Sequence, residues 1–339
     1  MKQSVIFLVC VFCAAINLQA QYKINVQNGT KTAFYDNLET AISSAEAGDT
    51  LYLPGTVILV GVNPLPIDKK LAIIGAGWDV DSIGGLQTTE IKIGAGYVNI
   101  QYNENSSGSL LTGCMVSDVR FVRSDANQPN AENVRIWRNR LHGSIRLAYS
   151  GGGSVKNITI SENCISGDIS GNSTESNCMI NNNTCGQISS IHDARIFNNI
   201  ARGRLRDLSL CTVENNFIND ANSWSSNANC TFNNNAYRES PVFSGGSNSF
   251  NNYLTGQAVA ATFITNNISA LPKDLVVRET SPCKTGGTYG TEIGIYGGMS
   301  PYKPGGVPFN PHITKAIIPG QTDQFGNLKV NISVSAQTK

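Results

Sequence analysis

One short phrase recurs through the middle of the chain, in which apolar residues stand at alternate positions and an asparagine follows them. Six copies align, with their asparagines 16 to 24 residues apart, and a looser seventh copy ends at Asn252. The six anchoring asparagines are Asn139, Asn163, Asn183, Asn199, Asn216 and Asn235. The residues three positions earlier are Ile136, Ile160, Ile180, Ile196, Val213 and Phe232. The residues two positions later are Leu141, Ile165, Cys185, Ala201, Ile218 and Tyr237.

Apolar residues two positions apart indicate strands that bury one face. A spacing of 16 to 24 residues is too short for a pair of helices and is typical of one coil of a β-solenoid. A single coil cannot bury its own apolar face, so successive coils must stack and share one core. We therefore predict an all-β fold, a parallel β-helix in which equivalent residues of neighbouring coils lie about 4.8 Å apart.

The recurring asparagine is the one polar residue among these apolar columns. Stacked asparagines can donate and accept hydrogen bonds along the stack, so the column predicts a structural ladder of side-chain amides. The alternative interpretation is a row of ligand-binding residues. Low charge agrees with a chain of short strands and tight turns, because only 14% of the residues are charged and 33 are glycine. The net charge of +1 argues against nucleic acid or an anionic membrane as the main partner.

Residues 1–20 have the features of a secretory signal peptide. Lys2 supplies the positive charge, Val5–Ile16 the apolar segment, and Leu18–Ala20 a small-residue cleavage site. The apolar segment is short for a membrane span, so a retained anchor is the weaker alternative. We predict a secreted or cell-surface protein without a transmembrane span after the signal peptide is removed.

Seven cysteines follow the predicted signal peptide. Cys178, Cys211 and Cys230 share one inward column, and Cys185 belongs to another, which predicts small buried apolar side chains. Because Cys211 and Cys230 would be neighbours on successive coils, a single disulfide between them is the alternative. The spacings do not match a zinc site.

The start of the repeat region predicts a cap. Leu38, Ala41, Ile42 and Ala45 lie on one side of a short amphipathic helix, and residues 21–60 would cover the open end of the core.

A resemblance to a known superfamily supports the same architecture. Asp274–Gly298 contains a Ser-Pro turn at Ser281, then Gly287 and Glu292, and ends in the Ile-Gly-x-Tyr strand of Ile293–Tyr296. Together with Ala47–Gly77 it resembles secreted right-handed parallel β-helix proteins of the pectate-lyase-like superfamily, in particular exported β-helix repeat proteins of Bacteroidetes-type bacteria. The resemblance implies a right-handed helix over residues 21–298, whose closing coil is Asp274–Gly298. Residues 299–339 would form a short C-terminal β extension on or near the last coils.

The superfamily contains lyases, hydrolases, esterases and proteins without activity, so the resemblance implies the fold but not the chemistry. The local sequence signatures of its pectinases are absent from the chain, and no catalytic residue can be carried over. We predict no metal site and no cofactor. Calcium is an alternative without support, because Asp207, Glu214 and Asp220 do not form the dense carboxylate cluster that it needs.

The outward side chains that follow each anchor give a candidate ligand face. Residues next to the inward Ile145, Ile169, Ile188 and Leu205 must point outward. The candidate residues are His142, Arg146, Asp168, Gln187, Arg202, Arg204 and Arg206. Arginines in such a row could pair with the carboxylates or sulfates of an acidic glycan. The alternative interpretation is an ordinary solvated face of a sheet.

These patterns predict a carbohydrate-associated protein with a mainly binding or structural role, whose partner is a polysaccharide or cell-surface glycan. The second candidate is an enzyme acting on an acidic polysaccharide, as a lyase rather than a glycoside hydrolase. In a lyase, arginine or histidine would take the proton beside the carboxylate and another arginine would stabilise the charge. The hydrolase needs two carboxylates on one face, and Asp168 has no acidic partner there. An adhesin-like spacer without a small ligand is the third candidate.

Overall fold

A computed structural model describes residues 22–80, 87–122, 131–150, 155–220, 226–241, 246–307, 309, 311–317 and 319–336. The predicted signal peptide, residues 1–20, lies outside the described residues. Within the described ranges no helix has both the length and the apolar character needed to cross a membrane.

The protein is a parallel β-solenoid of about nine turns, which confirms the predicted all-β architecture. The right-handed sense of the helix stays a prediction of the resemblance. The strands, in chain order, are β1 (Ile24–Asn28), β2 (Lys31–Tyr35), β3 (Thr50–Tyr52), β4 (Val57–Leu59), β5 (Leu65–Ile67), β6 (Ala72–Ile74), β7 (Glu90–Ile93), β8 (Gly96–Tyr97), β9 (Ile100–Tyr102), β10 (Leu110–Thr112), β11 (Met115–Val116), β12 (Val119–Val122), β13 (Arg135–Trp137), β14 (Arg140–Leu141), β15 (Ile145–Ser150), β16 (Thr159–Ser161), β17 (Cys164–Ile165), β18 (Ile169–Ser170), β19 (Cys178–Asn181), β20 (Thr184–Cys185), β21 (Ile188–Ser189), β22 (Ala194–Phe197), β23 (Ile200–Ala201), β24 (Leu205–Arg206), β25 (Thr212–Glu214), β26 (Phe217–Ile218), β27 (Thr231–Asn233), β28 (Ala236–Tyr237), β29 (Ser249–Asn251), β30 (His312–Ile317) and β31 (Asn331–Ser335). The helices are α1 (Leu38–Ser44) and α2 (Val259–Thr262), and short 3-10 turns cover Glu104–Ser106, Pro272–Asp274, Pro282–Lys284, Thr288–Gly290 and Pro304–Gly306.

The coils stack into three sheets, and those up to β24 contribute one strand to each, whereas the described residues of the later coils contribute strands to sheets 1 and 2. Sheet 1 has the strand order β2-β1-β3-β6-β10-β13-β16-β19-β22-β25-β27-β29. Sheet 2 has the order β28-β26-β23-β20-β17-β14-β11-β7-β4, with β8 paired to β7. Sheet 3 has the order β24-β21-β18-β15-β12-β9-β5. All pairs between successive coils are parallel, and the apolar columns of the sequence stay in register, as in the Ile136–Ile160–Ile180 series of sheet 1.

The anchoring asparagines lie at the turn between sheets 1 and 2, with no solvent exposure. In each rung the side-chain oxygen of one asparagine accepts from both the backbone and the amide of the asparagine on the preceding coil. Between Asn163 and Asn183 these two distances are 2.9 and 3.0 Å, and the Asn163 amide also donates to the carbonyl of Ile136 at 2.8 Å. The column is therefore filled by its own hydrogen bonds and presents nothing to a ligand.

The residue before each anchor forms a second column, which we call the corner column. Its members have φ between 51° and 56° and are Arg138, Glu162, Asn182, Asn198, Asn215 and Asn234. Asparagine tolerates this left-handed conformation better than most residues, which accounts for the repeated Asn-Asn doublets. The side chains of the corner column point away from the core, at the edge between sheets 1 and 2.

The N-terminal end of the solenoid is capped as predicted. Helix α1 begins at Asn37, whose side-chain oxygen accepts from Thr40 N at 2.9 Å, and buries Leu38, Ala41 and Ile42. The antiparallel hairpin β1–β2 continues sheet 1 beyond its first parallel strand. Together they close the apolar core that would otherwise end in an open edge.

Residues 254–307, which we call the strap, do not form a further coil. They run back along the outside of sheet 2, where Phe263, Leu275 and Ile293 pack against the outward column of that sheet. Phe217 of sheet 2 meets Phe263 of the strap edge to face at 4.8 Å. The resemblance placed a closing coil at Asp274–Gly298. This segment instead packs on the outward column of sheet 2, whose residues are apolar.

The C-terminal extension forms the antiparallel hairpin β30–β31. The residues that lead into this hairpin contact an early coil. Phe309 stacks on Trp137 at 5.5 Å, and the Arg138 guanidinium donates to the carbonyl of Val307 at 3.1 Å. Strand β31 is exposed along its whole length, and the predicted position of the extension on or near the last coils stays a prediction.

Candidate functional site

The predicted ligand face lies on sheet 3 and on the turn that enters it from sheet 2. The outward column of sheet 3 runs through Gln101, Arg120, Arg146, Ser170, Ser189 and Arg206 on successive coils. The side chains of Arg146 and Arg206 are each 45% exposed. They are three coils apart, or about 14 Å at the spacing of parallel strands, with two short serines between them.

The turn before sheet 3 contains a polar ladder that the sequence patterns did not reveal. Asp118 Oδ1 accepts from Ser144 N at 2.7 Å, and Ser144 Oγ accepts from Asp168 N at 3.0 Å. Asp168 continues the ladder, because its Oδ1 accepts from Gln187 N at 2.9 Å and its Oδ2 from the Gln187 amide at 3.0 Å. Asp168 and Gln187 therefore hold the turn together and are not available as a catalytic pair.

Glycine is required beside this ladder. A Cβ at Gly186 would collide with Asp168 Oδ1, and one at Gly167 with Ser144 Oγ. The glycines make room for each side chain to reach the backbone of the next coil. A Gly followed by Ser or Asp shortly after the inward apolar residue of sheet 2, as in Gly143-Ser144 and Gly167-Asp168, was the sequence signal for this ladder.

Two of the predicted arginines make contacts within the protein. Arg204 Nε donates to Asp220 Oδ2 at 3.0 Å. Arg202 donates to the carbonyls of Ile165 and Ser166, two coils away, at 2.8 and 2.7 Å. Arg202 can reach that far because the intervening coil has one residue fewer between β20 and β21 than its neighbours have at this turn.

The remaining arginines of the face also have acidic neighbours. Arg146 lies 4.0 Å from Asp118, which bonds more closely to Arg120 at 2.9 Å. Arg206 lies 3.4 Å from Asp207 and donates to Gln187 Oε1 at 3.3 Å. The structure brings Asp168, Gln187 and Arg206 into one hydrogen-bonded chain on sheet 3. It does not bring His142 into that chain.

His142 belongs to a different group, at the corner between sheets 2 and 3. Its ring stacks on Tyr97, with centroids 4.0 Å apart and planes 10° apart. The Lys92 ammonium also lies over the Tyr97 ring, 4.9 Å from its centroid, and the Tyr97 hydroxyl donates to Glu90 at 3.3 Å. Partial burial, followed by the neighbouring Arg140 charge, lowers the pKa of His142, so its ring is neutral at pH 7.

Arg140 lies next to this stack, on the outward column of sheet 2. Its guanidinium is 5.8 Å from the centre of the Trp78 ring. The Nε atom is buried without a hydrogen-bond partner in the described part of the chain, and no ion pair of Arg140 is found there. We call Trp78, Glu90, Lys92, Tyr97, Arg140 and His142 the corner cluster.

Sequence reasoning found only His142 of the corner cluster. The signal for Arg140 was its place one residue after an anchor, a column that otherwise holds Cys164, Thr184, Ile200, Phe217 and Ala236. A single charged residue in an otherwise uncharged outward column indicates that its surroundings differ from those of the other members. Tyr97 carried no such signal, because it precedes the first regular repeat.

The cysteines of the described residues are buried in the core, and the carboxylates, histidines and cysteines there do not form a metal centre. Seven cysteines are free and buried, and Cys211 and Cys230 are not joined by a disulfide. Burial raises the pKa of Cys178 to about 11 and of Cys185 to about 12, which keeps both thiols protonated. Over the same residues, no three His, Cys, Asp or Glu side chains come close enough to bind a metal ion.

Comparison of the chain with models of protein families, with curated proteins and with solved structures finds no match. Membership of the pectate-lyase-like superfamily therefore stays a prediction from the residues that resemble it. The outward faces of sheets 2 and 3 carry the polar residues on which a function would depend.

Proposed function

We propose that the protein is an exported β-solenoid that binds an acidic polysaccharide along sheet 3 and does not cleave it. The observation that carries this proposal is the spacing of Arg146 and Arg206. Both are about half exposed, and they stand on either side of the short side chains of Ser170 and Ser189. Two cations beside a low, polar floor favour an extended anionic chain that lies along the solenoid axis.

A binding role is favoured over a lyase by the contacts of the polar residues. A lyase needs a base beside the proton to be removed and a cation beside the carboxylate. Asp168 is engaged by the backbone and side chain of Gln187, and Arg204 by Asp220. His142 is stacked on Tyr97, outside the column of Arg146 and Arg206. No group in this arrangement is placed as the base.

The proposal is tested by binding measurements on the chain without residues 1–20. We expect binding to polygalacturonate or a sulfated glycan that weakens as salt is added. Replacement of both Arg146 and Arg206 by alanine should weaken it by about tenfold or more, since hydrogen bonds to charged groups are the stronger kind. The matched control is Arg135→Ala, which removes an exposed arginine from sheet 1 on the same coil as Arg146.

Three outcomes would contradict the proposal. Equal affinity of the double variant and the Arg135→Ala control would show that sheet 3 is not the binding face. An increase in the absorbance of unsaturated uronates during incubation would show that the protein is a lyase. Absence of binding to every acidic and neutral glycan would favour a structural spacer.

A further inference from the structure

The corner cluster contains a cation that the surrounding protein does not neutralise. Lys92 is paired with Glu90 at 2.6 Å, and Lys273 of the strap lies 3.4 Å from Asp79. Each of these pairs balances its own charge. Arg140 stands between them with no carboxylate partner within the described ranges, and its Nε lacks an acceptor. The cluster thus carries one net positive charge, partly removed from water.

Aromatic rings border this charge on two sides. Trp78 lies under the guanidinium at 5.8 Å and is 3% exposed, which fixes the inner side. The Tyr97–His142 stack lies beside Arg140, because His142 follows Arg140 by two residues and is influenced by its charge, and His142 is exposed. A ligand at Arg140 would therefore meet a guanidinium and a flat ring face together, an arrangement suited to a partly apolar molecule that carries an anion.

The neighbouring acids restrict the kind of anion. Glu90 and Asp79 both lie close to the site, and each would repel a doubly charged phosphate more than a singly charged group. A carboxylate is singly charged, planar and matched to the donors of a guanidinium. A sugar ring that bears the carboxylate also offers an apolar C–H face to the imidazole.

The geometry points to a second binding site in which Arg140 holds the carboxylate of a uronic acid residue and the Tyr97–His142 stack supports its ring. This inference rests on the proposed function for the choice of a sugar as the ring-bearing ligand. The site itself lies on the edge of sheet 2 and uses none of the arginines of sheet 3.

Histidine NMR gives a direct test, because the chain has only three histidines. Galacturonate is titrated into the full chain without residues 1–20, and the imidazole C–H signals are followed. We expect a saturable shift of the His142 signals alone. The pKa of His142 should rise on binding, because the carboxylate adds a negative charge beside Arg140, Lys92, Glu90 and Tyr97.

Matched ligands and variants separate the parts of the site. Galactose has the same ring without the carboxylate and should give no shift. Arg140→Gln should weaken galacturonate binding by about tenfold or more, since one charged hydrogen-bonding group is lost. Arg135→Gln removes an arginine from sheet 1 of the same coil and should leave the titration unchanged. Unchanged signals of His192 and His312 show that the variants are folded.

Each outcome decides the inference. It is overturned if galacturonate leaves the His142 signals in place, or if Arg140→Gln binds as the wild type does. If acetate shifted the His142 signals as much as galacturonate does at equal concentration, the site would bind anions in general, and the claim that it recognises a sugar would be refuted. Polymer binding that depends on Arg146 and Arg206, without a His142 response, would leave the proposed function standing and refute this site alone.

Discussion

Sheets 2 and 3 are made by successive strands of the same coils, yet their outer faces differ. On sheet 2 the outward residues Ile200 and Phe217 have no solvent exposure, because the strap lies over them. On sheet 3 the equivalent outward residues are Arg146 and Arg206, each with a side chain 45% exposed. Both sheets have apolar inward columns and parallel pairing. The outward residues therefore distinguish the covered face of sheet 2 from the exposed face of sheet 3.

The strap is held at its edge by the corner column. Asn182 donates to the carbonyl of Ile295 at 2.7 Å, Asn198 to that of Gly297 at 3.1 Å, and Asn234 to that of Gly286 at 3.2 Å. On the earlier coils the members of the corner column are charged, and they bond to the backbone of the strap. Arg138 and Glu162 form a buried pair at 3.0 Å, and Glu162 also accepts from Lys303 N at 3.1 Å. Apolar side chains of the strap pack on sheet 2, and the polar contacts with the corner column fix the position of the strap.

The largest effect should come from removing one residue of the covered face. Phe217→Ala should lower the free energy of unfolding by about 3–5 kcal/mol, because it leaves a cavity against Phe263. Arg206→Ala, on the bare face, should change it by less than about 0.5 kcal/mol. Urea unfolding of the two variants under one set of conditions measures both. Similar midpoints for the two would show that the strap contributes little to stability.

Asn198→Ala tests the polar edge of the strap, with a smaller effect. Asn198 and Asn177 both have positive φ, 56° and 52°, so alanine brings similar backbone strain to each. Only Asn198 bonds to the strap, whereas Asn177 bonds to the exposed Asn157 at 2.8 Å. We expect Asn198→Ala to cost about 1 kcal/mol more than Asn177→Ala. Limited proteolysis should cut residues 254–307 faster in Asn198→Ala alone, and equal cutting rates would contradict the edge contact.

Much of the fold was predictable because the inward positions repeat. The Ile136 column, the α1 helix and the stacking of coils all follow from apolar periodicity, which depends on neighbours a few residues apart. The strap was not predicted, although its signal was present. Ile200 and Phe217 are apolar at positions that must face outward, and such a column requires a cover. The sequence does not say which segment supplies that cover, since Phe263 of the strap comes 46 residues after the Phe217 that it covers.

The candidate site was less predictable, because alternation separates inside from outside but does not identify partners across coils. Asp168 was expected to face a ligand, but its carboxylate bonds to Gln187, 19 residues later. Arg202 reaches Ser166 only because the coil between them is one residue shorter. Arg140 and Tyr97 come together from different coils, and Tyr97 reaches His142 from the β8 strand, outside the repeat. Such contacts depend on the register and length of each turn.

The smallest expected effect is on the pH dependence of stability, and it comes from His142, which lies between the outward faces of sheets 2 and 3. Its pKa is lowered in the folded protein by burial, and then by Arg140, relative to about 6.5 in the unfolded chain. The unfolded chain therefore takes up a proton first as the pH falls below about 6.5, and stability should decrease until the pH passes the lower folded pKa. Unfolding in urea between pH 7.5 and pH 5.5 measures this slope, and His142→Gln should reduce it. A steeper loss of stability in His142→Gln than in the wild type would mean that the folded protein favours the charged ring. His142 would then be solvated like the exposed residues of sheet 3, and not desolvated like the covered residues of sheet 2.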